Sequence, residues 1–218
     1  MKIISTNIAR VTTIIHQGKP IKTAILKQPT SNEVTIERTG IIGDEQADRK
    51  WHGGEEKAVF GFSANHYPYW QEQLNHDTLS PGMFGENLTI SDFSEQHINI
   101  GDRFRVGSAL LEVSQPRDPC FKIALAIKDE RILKLFTRSY CTGIYCRVLE
   151  NGYAKTGDDV HCEHKADHDI SVKKLFRAFY DNQYSEAVHI MKAALALPEL
   201  APEWQEKLHT RLTKQGTF

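Results

Sequence analysis

Seven residues, Ser114-Gln115-Pro116-Arg117-Asp118-Pro119-Cys120, put a guanidinium, a carboxylate and a thiol on one short segment. Each proline fixes its own φ and pushes the residue before it into extended backbone. Gln115 and Asp118 are thereby held out of helix, and the segment reads as a stiff loop. A nearby cation favours the thiolate, the form that attacks electrophiles or binds metal. Stiffness reduces the entropy lost in holding a sulfur at one point. The competing reading is an inert cysteine buried after a core strand, the usual fate of a reduced cysteine. These seven residues alone leave the two in balance.

Two glycine-bearing stretches could complete a site around that thiol. In His52-Gly53-Gly54 with Lys57, paired glycines let backbone N–H groups approach an anion and the lysine supplies charge. That suits a phosphate or a polar heterocycle. The spacing is not that of a P-loop, and a Gly-Gly turn with solvated charges is the simpler reading. Phe84-Gly85-Glu86-Asn87 feeds a strand. It offers Glu86 as an acceptor and Asn87 as an amide to a bound ring, or else a tight turn in which Asn87 bonds its own backbone.

A zinc site finds little support. Cys141, Cys146, Cys162, His161 and His164 lack the close cysteine pairs of zinc knuckles. Cys141 and Cys146 would face opposite sides of a strand, while Cys162 and His164 would share one. His66 lies on a helical pattern with no second ligand at metal spacing and reads as a core or surface residue. No Gly-x-Gly-x-x-Gly follows a strand and no Gly-x-Ser-x-Gly occurs, so neither a bound dinucleotide nor a hydrolase elbow is indicated.

The elements that must position these residues are mostly strands. The run 108–113, Ser-Ala-Leu-Leu-Glu-Val, is a strand that delivers the proline-rich segment. Residues 8–15, 23–27 and 34–38 are rich in Val, Ile and Thr or alternate, as strands do. Residues 98–100 and 103–106 flank Gly101-Asp102 as strand, turn and strand. Residues 143–150 and 159–164 return to strand, joined through Asn151-Gly152, a hairpin dipeptide, and Gly157-Asp158. Ser63 caps a short helix with Tyr67, Trp70 and Leu74 turned to the core. Residues 129–138 form another, with Ile132, Leu133, Leu135 and Phe136 as its apolar face. After a charged connector at 165–169 the pattern changes to three helices: 172–180 capped by Ser171, 184–197 ended by Pro198, and 203–213 opened by Pro202. The chain divides into a β-rich domain over 1–166 and a three-helix appendage over 167–218. The appendage has too few residues for a core of its own, so it should dock on the sheet or on a second subunit, as in a homodimer. It carries no chemical motif and is expected to stand outside the site.

The chain has 218 residues, 40% of them hydrophobic, and a formal net charge of -1. That is enough for one full core. It gives no basic footprint for a nucleic acid polymer. No apolar run reaches the ~18 residues of a membrane span, and residues 1–5 lack a signal-peptide core. A cytoplasmic location away from membranes is expected, with all four cysteines reduced.

Gly43-Asp44-Glu45-Gln46-Ala47-Asp48, His52-Gly53-Gly54 with Lys57-Ala58-Val59, His66-Tyr67-Pro68-Tyr69-Trp70, Phe84-Gly85-Glu86-Asn87-Leu88, Gly101-Asp102 and the Ser114–Cys120 segment occur in the order seen in MOSC-domain proteins. The family is named for the C-terminal domain of molybdenum-cofactor sulfurase. The resemblance covers nearly the whole chain, and its YiiM-like subgroup shares the short helical tail. It implies a β-barrel with flanking helices and a pterin molybdenum cofactor with Cys120 as metal ligand. It also implies reduction of N-hydroxylated compounds such as 6-hydroxylaminopurine, which would detoxify base analogues. Electrons would come from a separate flavoprotein reductase or other carrier, in keeping with the missing dinucleotide motif. His52, Gly53, Gly54, Lys57, Ser114, Gln115 and Arg117 would hold the cofactor's phosphate and pterin. Phe84, Gly85, Glu86 and Asn87 would line it. Asp118, His52 and a water on the metal are equal candidates for the proton donor. A different class of function is also open: a cofactor- or sulfur-carrier module in which Cys120 bears a persulfide or holds the cofactor for delivery.

Overall fold

The computed structural model of the protein describes residues 1–48 and 53–216. Its strands are β1 (Ile3–Ile8), β2 (Thr12–His16), β3 (Lys19–Thr23), β4 (Gln28–Thr30), β5 (Val34–Glu37), β6 (Gly40–Ile41), β7 (Val59–Ser63), β8 (Leu88–Ile90), β9 (Arg103–Val106), β10 (Ala109–Pro116), β11 (Ile144–Glu150), β12 (Gly152–Ala154) and β13 (Val160–His164). The α-helices are α1 (Tyr67–Leu74), α2 (Phe121–Ile127), α3 (Arg131–Ser139), α4 (Val172–Tyr180), α5 (Ala187–Leu195) and α6 (Pro202–Lys214).

One eight-stranded sheet in the order β13-β9-β10-β11-β7-β8-β1-β4 organises the chain, and β7 and β8 are its parallel pair. The fold is mixed α/β with a large sheet. The expected closed barrel is not found among the described residues, since no ladder joins β13 to β4. β4 occupies the outer edge of β1 only from Thr6 to Ile8. The start of β1 instead touches the turn before β13, where Ile3 N donates to Asp158 O at 2.9 Å and Val160 N to Met1 O at 2.9 Å. A single bridge, Lys2 with Asp159, marks that approach.

β10 is the strand that carries the chemistry, and it runs further than the proline pattern implies. Ser114, Gln115 and Pro116 belong to it, paired with β11 across a bulge between Val113 and Gln115. The bulge takes Ser114 out of the ladder and re-aims the strand end. Its hydroxyl lies 2.6 Å from Glu56 O and 3.0 Å from Tyr145 O. A proline that needs no N–H partner is tolerated at the end of the strand. Only Arg117 to Cys120 remain as loop, and α2 starts immediately after. Sequence periodicity gave no sign of α2.

Asn151-Gly152 does not join β11 to β13. It leads into β12, which pairs with β5. Gly152 is required there because a Cβ would stand 2.4 Å from Ala109 N. Residues 98–100 are not a strand; β9 hairpins onto β10 instead. Ser63 does cap the turn before α1, and Ser171 caps α4 by accepting from Lys174 N.

Two apolar clusters fill the interior. One combines the sheet with Leu175, Phe176, Met191, Trp204 and Leu208 of the tail, so the tail helices share the sheet's core. The other is aromatic: Phe62, Tyr67, Trp70, Phe84 and Phe136 lie between β7, α1 and α3. Phe62 and Phe84 stack with centroids 4.5 Å apart. Burial of each such ring contributes about 1.5–3 kcal/mol, which anchors α1 and α3 beside the loop.

Candidate functional site

Cys120 lies where two clefts adjoin. The narrower, with an internal volume of ≈ 70 Å³, is bounded by Lys27, Asp44, Gly85, Asn87 and Arg117; the wider, of ≈ 360 Å³, by Gln115, Asp118, Phe121, Glu203 and Lys207. Asp48, Lys57, Cys120, Lys122 and Tyr145 line both. The cysteine is half-buried, in extended backbone (φ -121°, ψ 135°) at the start of α2. The prolines act on Gln115 and Asp118, the residues before them; Cys120 is extended because it is the N-cap of α2, a position that takes non-helical backbone.

Arg117 is a buried cation on the wall of this site. Its guanidinium lies over Phe60 at 4.7 Å and over Phe136 at 5.5 Å, and its Nη1 has no hydrogen-bond partner among the described residues. Gln115 is buried as well, and neither its Oε1 nor its Nε2 has a partner among the described residues. Buried polar groups are almost always satisfied. A guanidinium nitrogen and an amide without partners among the described residues, both on cleft walls, therefore fit an anionic, heteroatom-rich group held there. Burial raises the Tyr145 hydroxyl's pKa, with Arg117 pulling the other way.

Gly85 closes the narrow cleft. It has φ +83°, and a Cβ would lie 2.5 Å from Ile25 Cδ1. Asn87 reaches that cleft but is committed to bracing it: its Nδ2 donates to Asp44 Oδ2 at 3.0 Å and its Oδ1 accepts from Phe60 N at 3.2 Å. Asp44 in turn holds the buried Lys27 ammonium. Burial pulls the Lys27 pKa down, against Asp44.

Glu86 and Phe84 face away from both clefts. Glu86 is wholly buried and accepts from Gly82 N, Phe84 N, Thr89 Oγ1 and the Tyr67 hydroxyl, which makes it the internal brace of the glycine loop. Phe84 belongs to the aromatic cluster. Gly53 is half-buried, and Gly54, at φ +96°, precedes a short 3-10 turn that delivers Lys57. His52 lies outside the described residues.

The tail reaches this site, against expectation. Lys207 of α6 pairs with Asp118 and lies 2.6 Å from Glu203; Glu203 also pairs with Lys57; Tyr180 of α4 donates to Asp118 Oδ1 at 2.9 Å. Burial would raise Glu203, but Lys207 and Lys57 outweigh it and lower its pKa. Burial would lower Lys207, but Asp118 and Glu203 outweigh it and raise its pKa. Ala201 N adds a bond to Ser114 O at 3.0 Å. These tail residues carry no local signal, because their partners stand up to 146 positions away.

Cys146 is buried in β11, and burial pushes its thiol up to about 12. Cys162 is exposed.

A family model for the MOSC domain matches residues 48–161, which include Lys57, Gly85, Arg117 and Cys120. The uncharacterized protein YflK of Bacillus subtilis is 38% identical over 90% of this chain and 89% of its own length. The chain belongs to the MOSC domain family. Within that family it sits with the YiiM-like members. Protein YiiM of Escherichia coli is 40% identical over 62% of this chain and 61% of its own length. The crystal structure of YiiM from Geobacillus stearothermophilus superposes with a TM-score of 0.81 at 27% identity, covering 97% of this chain and 98% of that one. A protein of Gibberella moniliformis described as a reductase is 39% identical over 66% of this chain, which spans 26% of that longer protein. Among the described residues no helix is long and apolar enough to cross a membrane.

Proposed function

We propose that this MOSC protein is a molybdenum-cofactor-dependent reductase of N-hydroxylated compounds such as 6-hydroxylaminopurine, supplied with electrons by a separate flavoprotein reductase or other carrier. The observation that carries the reading is the position of Cys120 between two clefts whose walls also present the unpaired Arg117 Nη1 and Gln115 amide. The fungal relative described as a reductase supports the reaction class.

The residues present suit a pterin molybdenum cofactor. Cys120 would ligate the metal, because a soft thiolate matches a sulfur-rich metal centre. Arg117, with Lys57 and Lys122 beside it, would hold the phosphate by charge-assisted bonds. The Gln115 amide, donor and acceptor together, would pair with the pterin edge. When bound, the cofactor supplies a metal that delivers two electrons to the N–O bond. The overall change is R–NHOH + 2e⁻ + 2H⁺ → R–NH₂ + H₂O, so two protons must reach the cleft. Lys207 and Tyr180 hold Asp118 at one end of the wider cleft. Asp118 is thus a fixed acceptor that orients a proton-bearing group rather than the proton's source. The cleft's width leaves room for a planar base beside the exposed Phe121 ring.

The test is cofactor content. Protein purified from a host that makes the cofactor should carry molybdenum and pterin near one equivalent each. Cys120→Ser should fold normally and lose the metal. Full molybdenum occupancy in that variant would remove Cys120 as ligand. A loaded protein that hands its cofactor or sulfur to an acceptor apoenzyme without turnover would make it a carrier instead.

A further inference from the structure

A second group of ligand-type side chains lies away from the two clefts. His66 ends the 3-10 turn before α1, Glu95 lies in the turn after β8, and Cys141 follows α3. His66 Nε2 is 2.7 Å from Glu95 Oε2, and one ligand atom from each of the three residues lies within 4.8 Å of the other two. None of them lines the Cys120 clefts. We propose that His66, Glu95 and Cys141 form a second metal site, which takes a divalent cation of the zinc class and leaves one coordination position to water.

Donor types set the metal class. Imidazole, thiolate and carboxylate together suit zinc or its neighbours, whereas magnesium and calcium call for oxygen alone. Bond lengths of about 2.0–2.3 Å place tetrahedral ligand atoms roughly 3.3–3.8 Å apart. The 2.7 Å contact must therefore open by about 1 Å and the 4.8 Å spread close by a similar amount, both within reach of small side-chain rotations. Three protein ligands with an open fourth position are the arrangement of water-bearing zinc sites. His66 and Cys141 are only partly buried, which gives that position access to solvent.

The ligands are also held in place. Glu95 is wholly buried, its other oxygen accepts from Gly143 N at 2.9 Å, and His66 is its ion-pair partner. Buried charges are paired or coordinate metals. The His66 ring packs edge-on against Phe62, and Cys141 N donates to Ser139 Oγ at 3.1 Å. Outer contacts of this kind orient metal ligands. A cation here would tie the start of α1, the turn after β8 and the lead into β11 into one brace beside the aromatic cluster. Cys141 loses its proton on ligation, so binding must release protons and weaken as pH falls.

The experiment uses the full-length Cys120→Ser protein, so that Cys120 cannot compete, stripped with a chelator and titrated with Co²⁺ as an optical stand-in. One equivalent should bind with a thiolate-to-cobalt charge-transfer band, and Zn²⁺ should displace it. Adding Cys141→Ser should abolish the band. Adding Glu95→Gln or His66→Gln should weaken binding by at least about tenfold, the lower end of what loss of even an outer-shell partner costs. Absence of the band, or a band that survives Cys141→Ser, overturns the site. Should a variant fail to fold, alkylation of the same stripped protein decides: Zn²⁺ should protect Cys141 and leave Cys162 reactive. No protection means that the three side chains are a metal-free hydrogen-bonded cluster, and the proposal fails.

Discussion

Replacing Arg117 by methionine separates binding from stability. Arg117 is a buried guanidinium stacked on two rings with one nitrogen unpaired. Each cation–ring contact contributes about 0.5–2 kcal/mol. The unpaired buried nitrogen costs about 1–3 kcal/mol, and more for a charged group. In the cofactor-free protein these terms oppose and nearly cancel. Methionine keeps an unbranched, polarisable chain against Phe60 and Phe136. Two such contacts together are worth about 1–4 kcal/mol against a penalty of about 1–3, so urea unfolding of cofactor-free Arg117→Met should show a stability change within about 3 kcal/mol of zero. The bound state behaves differently. Loss of one charge-assisted bond to a phosphate costs about 1.5–3 kcal/mol, which is a fall in retention of roughly 10- to 150-fold. Molybdenum and pterin remaining after timed dialysis measure it. A variant destabilised by more than about 3 kcal/mol that kept its cofactor as well as the parent would make Arg117 a packing residue and refute the reasoning.

Three further outcomes follow from the same geometry. Lys207→Met leaves Asp118 with Tyr180 and Glu203 with Lys57; the pair is about a quarter exposed, so urea unfolding should show a loss of about 1–2 kcal/mol, between exposed and buried limits, and a cycle with Asp118→Asn should recover most of it. Glu203 is lowered below 4.5 and Lys207 raised above 10.5; the first stabilises above its unfolded value and is lost as pH falls through its lower folded value, and the second stabilises below 10.5 and is lost as pH rises through its higher folded value. Quenching of Trp204 fluorescence, with Trp204→Phe as blank, should stay flat between those limits and rise outside them, and a rise near neutrality would contradict the clamp. Cys146, buried and raised to about 12, should resist alkylation at pH 8 in the folded protein while Cys162 reacts, and prompt labelling of Cys146 would show that β11 is not packed as described.

What could be read from the chain was local. Ser63 and Ser171 sit where caps must, and Tyr67, Trp70 and Leu74 fall on one helical face, so α1 and α4 were legible. Val34 and Ile36 alternate inward, as a half-buried strand requires. Ser114 to Cys120 stood out because two prolines flank a cation, an acid and a thiol. The illegible parts depend on residues far apart in the chain. Glu86 looked like a ligand-facing acceptor, yet Tyr67, 19 residues away, and the loop's own amides consume it. Asn151-Gly152 reads as a hairpin, but β12 finds β5 instead of returning to β11, a choice set by the sheet and not by the turn. The tail's approach to Asp118 and the grouping of His66 with Glu95 and Cys141 are products of packing that no spacing rule encodes.

Turnover tests the central claim most directly. The protein loaded with molybdenum cofactor, given a reduced viologen dye and 6-hydroxylaminopurine, should form adenine with two dye electrons consumed per product, and Cys120→Ser should form none. A fully loaded protein that leaves 6-hydroxylaminopurine and other N-hydroxylated compounds unchanged while the dye stays reduced would contradict the account.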